Sequence, residues 1–177
     1  MKHYIEIQRL RTEDVVIDDN LTLEKNTQAF LKGDIISITE KIDGANASIF
    51  YDKHLQKLRC FSSRNELDFS NQLRGFYSYV QGLDSSIFAE YPNHIFFGEW
   101  LVSHTVIYDE ENYNKWYLFS VYDSKTQSWL EQEFVKNLPM IMDSTIRMNC
   151  IMENLLIGTI VSAFPTIQRM EHNRKVL

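Results

Sequence analysis

One acidic residue stands inside an apolar run, and it constrains the fold more than any other feature. In His-Ile-Phe-Phe-Gly-Glu-Trp-Leu-Val, residues 94–102, Glu99 is flanked by Phe96, Phe97, Trp100 and Leu101. The run reads as a strand. A carboxylate buried in such a strand is costly unless something partners it. The chain must therefore fold so that a partner reaches Glu99, either a structural ion pair or a ligand. Gly98, beside it, would permit close approach of a ligand to the backbone.

The surrounding pattern supplies further strands. "GDIISITEKI" is β-rich with imperfect alternation, and "NASIFYD" and "KLRCFSS" follow with "KHLQ" as a hairpin connection between them. "KWYLFSVYD" is another strand, with turn chemistry in "DSKTQ" after it. Helical spacing appears in "FSNQLRGFYSYVQGL", through Leu73, Phe76, Tyr77 and Val80, with Gly82 as the stop. "SSIFAEY" suits a short helix with a serine cap, and "WLEQEFVKNL" one that ends before Pro139. "STIRMNCIMENLLIGTIVSAF" reads as an amphipathic helix with a Ser or Thr cap. The expected fold is α+β, with mostly antiparallel sheets flanked by helices. There is no βαβ rhythm and no phosphate loop of the G-x-x-x-x-G-K-[ST] kind.

Composition narrows the function classes. A chain of 177 residues with 44% hydrophobic content can bury one well-packed core, and three prolines and six glycines are too few for a linker-rich protein. A net charge of −6 argues against binding nucleic acid through a bulk positive field, though a local basic groove stays open. No run of about 18 apolar residues is present, so no membrane partner is expected. "MKHYIEIQRL" is too polar for a signal peptide. Cys60 and Cys150 have no metal-ligand spacing, and free thiols in a reducing, cytoplasmic compartment (bacterial, viral or host) are the expectation.

The chemistry centres on "SITEKIDGANASIFYD". If a strand runs through Lys41, then Ser37, Thr39 and Lys41 share its more polar face, and Asp43-Gly44 offers the turn for a hairpin. On this segment alone Lys41 reads either as a surface lysine before a hairpin or as a nucleophile. The whole string Lys41-Ile42-Asp43-Gly44-Ala45-Asn46 resembles the K-x-D/H-G motif of the covalent nucleotidyltransferases: DNA ligases, RNA ligases and capping enzymes. DNA ligases usually carry arginine where this chain has Asn46. Asn46, and Glu40 before the lysine, resemble the RNA ligase 2 and RNA-editing ligase branch.

The resemblance implies a ligase adenylation fold, with Lys41 attacking the α-phosphate of ATP to form a lysyl–AMP bond. AMP would then pass to an RNA 5′-phosphate, and a 3′-hydroxyl would displace it. It implies Mg²⁺ or Mn²⁺ as cofactor and RNA ends or a nicked duplex as partner. Glu40, Ile42, Asp43, Gly44 and Asn46 would line the nucleotide site as parts of the motif. A free lysine has a pKa near about 10.4, so such chemistry needs cationic neighbours or a metal to make it nucleophilic.

Later segments resemble the family's next motifs in order. "SSRNEL" places Arg64 where the family has an arginine near ribose and phosphate; by itself Arg64 reads as a surface residue after a strand. "FFGEWL" would give Glu99 contact with a ribose hydroxyl or with a metal-bound water. In "KWYLFSVYD" Phe119 aligns with the aromatic that stacks on adenine, although Ser120 stands where the family often has Asp; core packing is the other reading of Phe119. His104, in "GEWLVSHTVIYD", touches phosphate or caps a loop and is given no catalytic role.

The pattern then breaks. No Glu-Gly dipeptide and no Lys-x-Lys occurs anywhere in the 177 residues, and Arg174-Lys175 is a poor substitute. The resemblance covers roughly residues 1–160. Residues 1–177 are thus expected to form a single RNA ligase-like adenylyltransferase domain that is partial, lacking its C-terminal motifs. Three readings stand: an ATP-dependent RNA ligase, a degenerate or split relative that needs a second chain or binds nucleotide or RNA without ligating, and a small interaction domain in which "EKIDGAN" is a hairpin.

Overall fold

The computed structural model describes residues 3–4, 35–38, 41–138, 147–148 and 152–156. The chain divides into two units. One comprises residues 1–3 and 39–151, the other residues 4–38 and 152–177.

In the smaller unit, β1 (Ile35–Ile38) pairs antiparallel with β8 (Met152–Leu156), and the register shifts between Ile36 and Ile38.

The larger unit is built on one sheet. Its strands are β2 (Ala45–Asp52), β3 (Lys57–Ser62), β4 (His94–Leu101), β5 (Lys115–Asp123) and β6 (Ser128–Trp129), ordered β3-β2-β4-β5-β6. All of these pair antiparallel, while β7 (Arg147–Met148) adds to β5 in parallel. Three short helices accompany the sheet: α1 (Phe76–Gln81), α2 (Ser85–Ala89) and α3 (Gln132–Lys136). The architecture is the expected α+β arrangement.

Alternation along the strands creates two faces. Ala47 and Ile49 of β2, Phe96 and Trp100 of β4, and Trp116 and Leu118 of β5 share the buried core with Phe76 and Val80 of α1 and Phe88 of α2. Phe76 lies 5.4 Å from the Trp100 ring and 5.9 Å from Trp116, and Phe88 meets Phe96 edge-on at 5.3 Å. These aromatics account for much of the burial that holds helices to sheet. Gly98 serves this core: a Cβ there would sit 2.5 Å from the Trp116 ring and 2.7 Å from the Tyr117 carbonyl oxygen. What lies on the Cβ side of Gly98 is an indole of the same chain.

Several elements differ from the sequence expectation. Lys41 lies outside any strand, and Asp43-Gly44 makes no hairpin, because β1 pairs with β8 whereas β2 pairs with β3 and β4. Helix α1 begins only at Phe76, since Leu73, Arg74 and Gly75 take φ values of 46°, 52° and 89°. Such left-handed backbone cannot continue a right-handed helix. The cap of α2 is Asp84, accepting from the Ser86 N–H, and not a serine. Within the segment expected as a last helix, residues 147–148 and 152–156 are strand, drawn out by pairing to β5 and β1. Its other residues lie outside the described part.

Candidate functional site

The site begins with cross-strand register. Asn46 of β2 stands opposite Glu99 of β4, and Glu99 stands opposite Tyr117 of β5. Directly paired residues point to one face, so these three polar side chains form a row across the centre of the sheet, on the face away from the aromatic core. Phe119 follows on β5. Between the pairs Phe97–Ser120 and Gly98–Leu118 the register slips, which leaves Phe119 as the extra residue of a β-bulge. Its carbonyl oxygen accepts from the Gln132 side chain of α3 at 2.8 Å, and the Phe119 side chain is half-buried.

The Lys41–Gly44 segment is fastened to this row. The Gly44 N–H donates to Glu99 Oε1 at 3.1 Å. The approach is so close that a Cβ on Gly44 would stand 2.5 Å from the Trp100 carbonyl oxygen and 3.2 Å from Glu99 Cγ. Asp43 is held from the loop after β4: its N–H donates to Tyr108 Oη at 2.9 Å, its Oδ2 accepts from the Val106 N–H at 2.8 Å, and its Oδ1 lies 3.0 Å from His104 Nδ1. Ile42 is buried, whereas Lys41 before it is exposed.

Electrostatics follow from these contacts. Burial pushes the Glu99 carboxyl above its ordinary value, while the Gly44 N–H and the charge of Lys41 partly oppose that rise. Among the described residues Glu99 makes no ion pair. Asp43 is shifted the other way, chiefly by the Val106 N–H and then by His104.

Arg64 lies exposed on the bend after β3, two residues past Ser62, which pairs with Ala47 next to Asn46. Glu40 lies outside the described residues. Asn46, Glu99 and the Lys41–Gly44 segment come together, and Phe119 follows on the next strand. Sequence reasoning missed Tyr117, Tyr108 and the use of His104. Tyr117 had a readable signal, two residues before Phe119 in the same strand; Tyr108 had none.

No group of three or more His, Cys, Asp or Glu side chains able to cage a metal exists among the described residues. Asp43 has both carboxylate oxygens engaged, and Glu99 has Oε1 engaged.

A family model described as RNA ligase matches residues 34–149. Among solved structures, an archaeal ATP-dependent RNA ligase in form 1 is similar with TM-score 0.63 and 18% identity, over 81% of this chain and 37% of that one. Its form 2 gives TM-score 0.63 and 16% identity over 82% and 38%. A point mutant of the Naegleria gruberi RNA ligase with AMP and Mn gives TM-score 0.51 and 17% identity over 71% and 38%. The chain thus spans well under half the length of the solved structures it resembles. No curated protein sequence matches it significantly.

Proposed function

Given that this chain belongs to the RNA ligase family through residues 34–149, we propose that it carries out ATP-dependent nucleotidyl transfer through Lys41. In this reading the Lys41 amine, once deprotonated, attacks the α-phosphorus of ATP. An N–P bond forms, the bond to the bridging oxygen breaks, and pyrophosphate leaves. AMP then passes to the 5′-phosphate of an RNA end or nick, and a 3′-hydroxyl displaces it to seal the strand.

One observation carries the proposal. The Gly44 N–H fastens the Lys41 segment to Glu99, a half-buried carboxylate that feels the charge of Lys41 and stands in register with Asn46 and Tyr117. Glu99 would accept from a ribose hydroxyl or orient a water on the cation. Phe119 would supply the stacking plane for adenine, and Arg64 a guanidinium for ribose or phosphate. Ile42, Asp43 and Gly44 would hold the lysine backbone, with Glu40 preceding it. A divalent cation, Mg²⁺ or Mn²⁺, would supply charge neutralisation at the phosphates, held by them and by water behind Glu99.

The test is incubation of the purified chain with ATP and Mg²⁺ or Mn²⁺ at mildly alkaline pH, where an N–P bond survives. Intact-mass and peptide mapping should place one AMP on Lys41, and none in Lys41→Arg. Wild-type protein that acquires no AMP with either cation would overturn the proposal.

A second reading stands beside this one. In it, the chain binds nucleotide or RNA without completing ligation, or shares the work with a second polypeptide. Adduct formation without sealing of a 5′-phosphorylated nicked duplex would select this reading, and sealing by the chain alone would exclude it.

A further inference from the structure

The loop between β4 and β5 is tied to the Lys41 segment by contacts that the nucleotidyl-transfer scheme does not use. Its base is closed by the Asn114 N–H donating to the Leu101 carbonyl at 2.9 Å. Inside it, the Tyr108 N–H donates to Tyr113 Oη at 3.0 Å, and the two rings meet edge-on at 6.3 Å. From this braced loop three groups converge on one residue, Asp43: the Tyr108 hydroxyl, the Val106 N–H and the His104 ring. Each contact spans more than 60 residues of sequence. Asp43 is two residues from Lys41, with buried Ile42 between them.

We propose that His104 and Asp43 are a pair of positioning residues which, with Tyr108, fix the backbone from which Lys41 projects. A carboxylate only accepts, so the hydrogen between them sits on His104 Nδ1. That hydrogen bond and the Val106 N–H occupy both Asp43 oxygens and set the carboxylate's orientation. The Tyr108 hydroxyl accepts from the Asp43 N–H and sets the adjoining peptide plane. With Gly44 pinned to Glu99 as well, two consecutive peptide groups after the lysine are held from the sheet and the loop. The exposed Lys41 then has its side-chain rotamers to explore but little backbone freedom. Alignment of a nucleophile is sensitive at this scale, and a displacement of about 1 Å can cost about 10²-fold in rate.

The inference rests on the reading of Lys41 as the nucleotidyl acceptor, and its test separates the two. Single-turnover AMP transfer to Lys41 is measured for His104→Ala, His104→Asn and His104→Gln. Asn places its amide nitrogen where Nδ1 stands; Gln reaches instead toward the Nε2 position. Loss of positioning predicts that His104→Ala and His104→Gln fall about tenfold to hundredfold in maximal rate. Half-saturating ATP should change less than about threefold, because the substrate contacts persist. His104→Asn should recover most of the rate, and Asp43→Ala combined with His104→Ala should cost little more than either alone. A purely structural role would move all three His104 variants with the melting temperature. A wild-type rate in His104→Ala, or equal rates in the Asn and Gln variants, overturns the inference.

Hydrogen exchange gives a readout that needs no activity. The amides of Asp43, Gly44 and Val106 should exchange faster in His104→Ala and remain protected in His104→Asn. If the wild type takes up no AMP, the nucleotidyl-transfer reading falls while exchange still tests the clamp. Unchanged exchange in His104→Ala overturns the clamp, whatever the activity.

Discussion

At Glu99 two demands meet on one side chain. Its Oε1 accepts the Gly44 N–H, and burial holds its carboxyl above its ordinary value. Glu99→Gln keeps an oxygen acceptor for Gly44 and removes the buried charge. Its melting temperature should therefore stay near wild type, with a change within about 1 kcal/mol. AMP transfer to Lys41 should fall by about 10²-fold if the carboxylate orients ribose or a cation's water. Gly44→Ala asks the complementary question. The new methyl would meet the Trp100 carbonyl at 2.5 Å, backbone that cannot yield as a flexible side chain would. The expected cost is about 1–3 kcal/mol in denaturant unfolding, with loss of protection at the Gly44 amide. Glu99 was legible in the sequence because a carboxylate inside an apolar run demands a partner. The partner was not legible, since it is a backbone N–H 55 residues away.

Among the elements, strands were read better than helices. The hairpin from Ala45 to Ser62, and the strands at 94–101 and 115–123, follow from alternating apolar residues and turn chemistry. Helix α1 shows the limit of periodicity. Leu73 has helical spacing to Phe76, Tyr77 and Val80 and packs against the core, yet it sits in left-handed backbone. The Trp100 Nε1–H donates to the Arg74 carbonyl at 3.2 Å, so this irregular turn is held by the indole of a distant strand. Gly75, at φ 89° with open space where a Cβ would stand, isolates the backbone term. Gly75→Ala should destabilise by about 1–2 kcal/mol through conformation alone, read as a shifted denaturant midpoint with an unchanged slope. Residues 147–148 and 152–156 misled for a related reason. Apolar spacing there admits a helix, and pairing to distant strands decides otherwise.

Across the whole molecule, the pH response follows from the carboxylates. Asp43, Asp52, Glu66, Asp68, Asp84 and Asp123 are all held below their ordinary values. The causes are N–H and hydroxyl donors and, for Asp52 and Glu66, the Arg59 guanidinium. Their folded pKa values lie below the unfolded ones. Each therefore contributes stability that is complete above the ordinary carboxylate range near about 4 and is lost as pH falls through the folded value. Glu99 has the opposite sign: its folded value is raised, and protonation relieves its burial as pH falls. Among the described residues six groups oppose one, so the denaturant midpoint should hold from about pH 7 to 5 and fall steadily below about pH 4; a midpoint that rises on acidification would contradict this.

By itself the sequence determined the α+β class and the main strands. These depend on spacing within one segment, where side-chain period and turn chemistry act over a few residues. Only the tertiary structure decided that Lys41 stands outside a strand, that Asn46, Glu99 and Tyr117 form one row, and that His104 and Tyr108 hold Asp43. Those relations join residues 18 to 65 positions apart through strand register and single hydrogen bonds. A one-residue slip in register would turn each of these side chains to the other face, and no local pattern in the chain specifies which register wins.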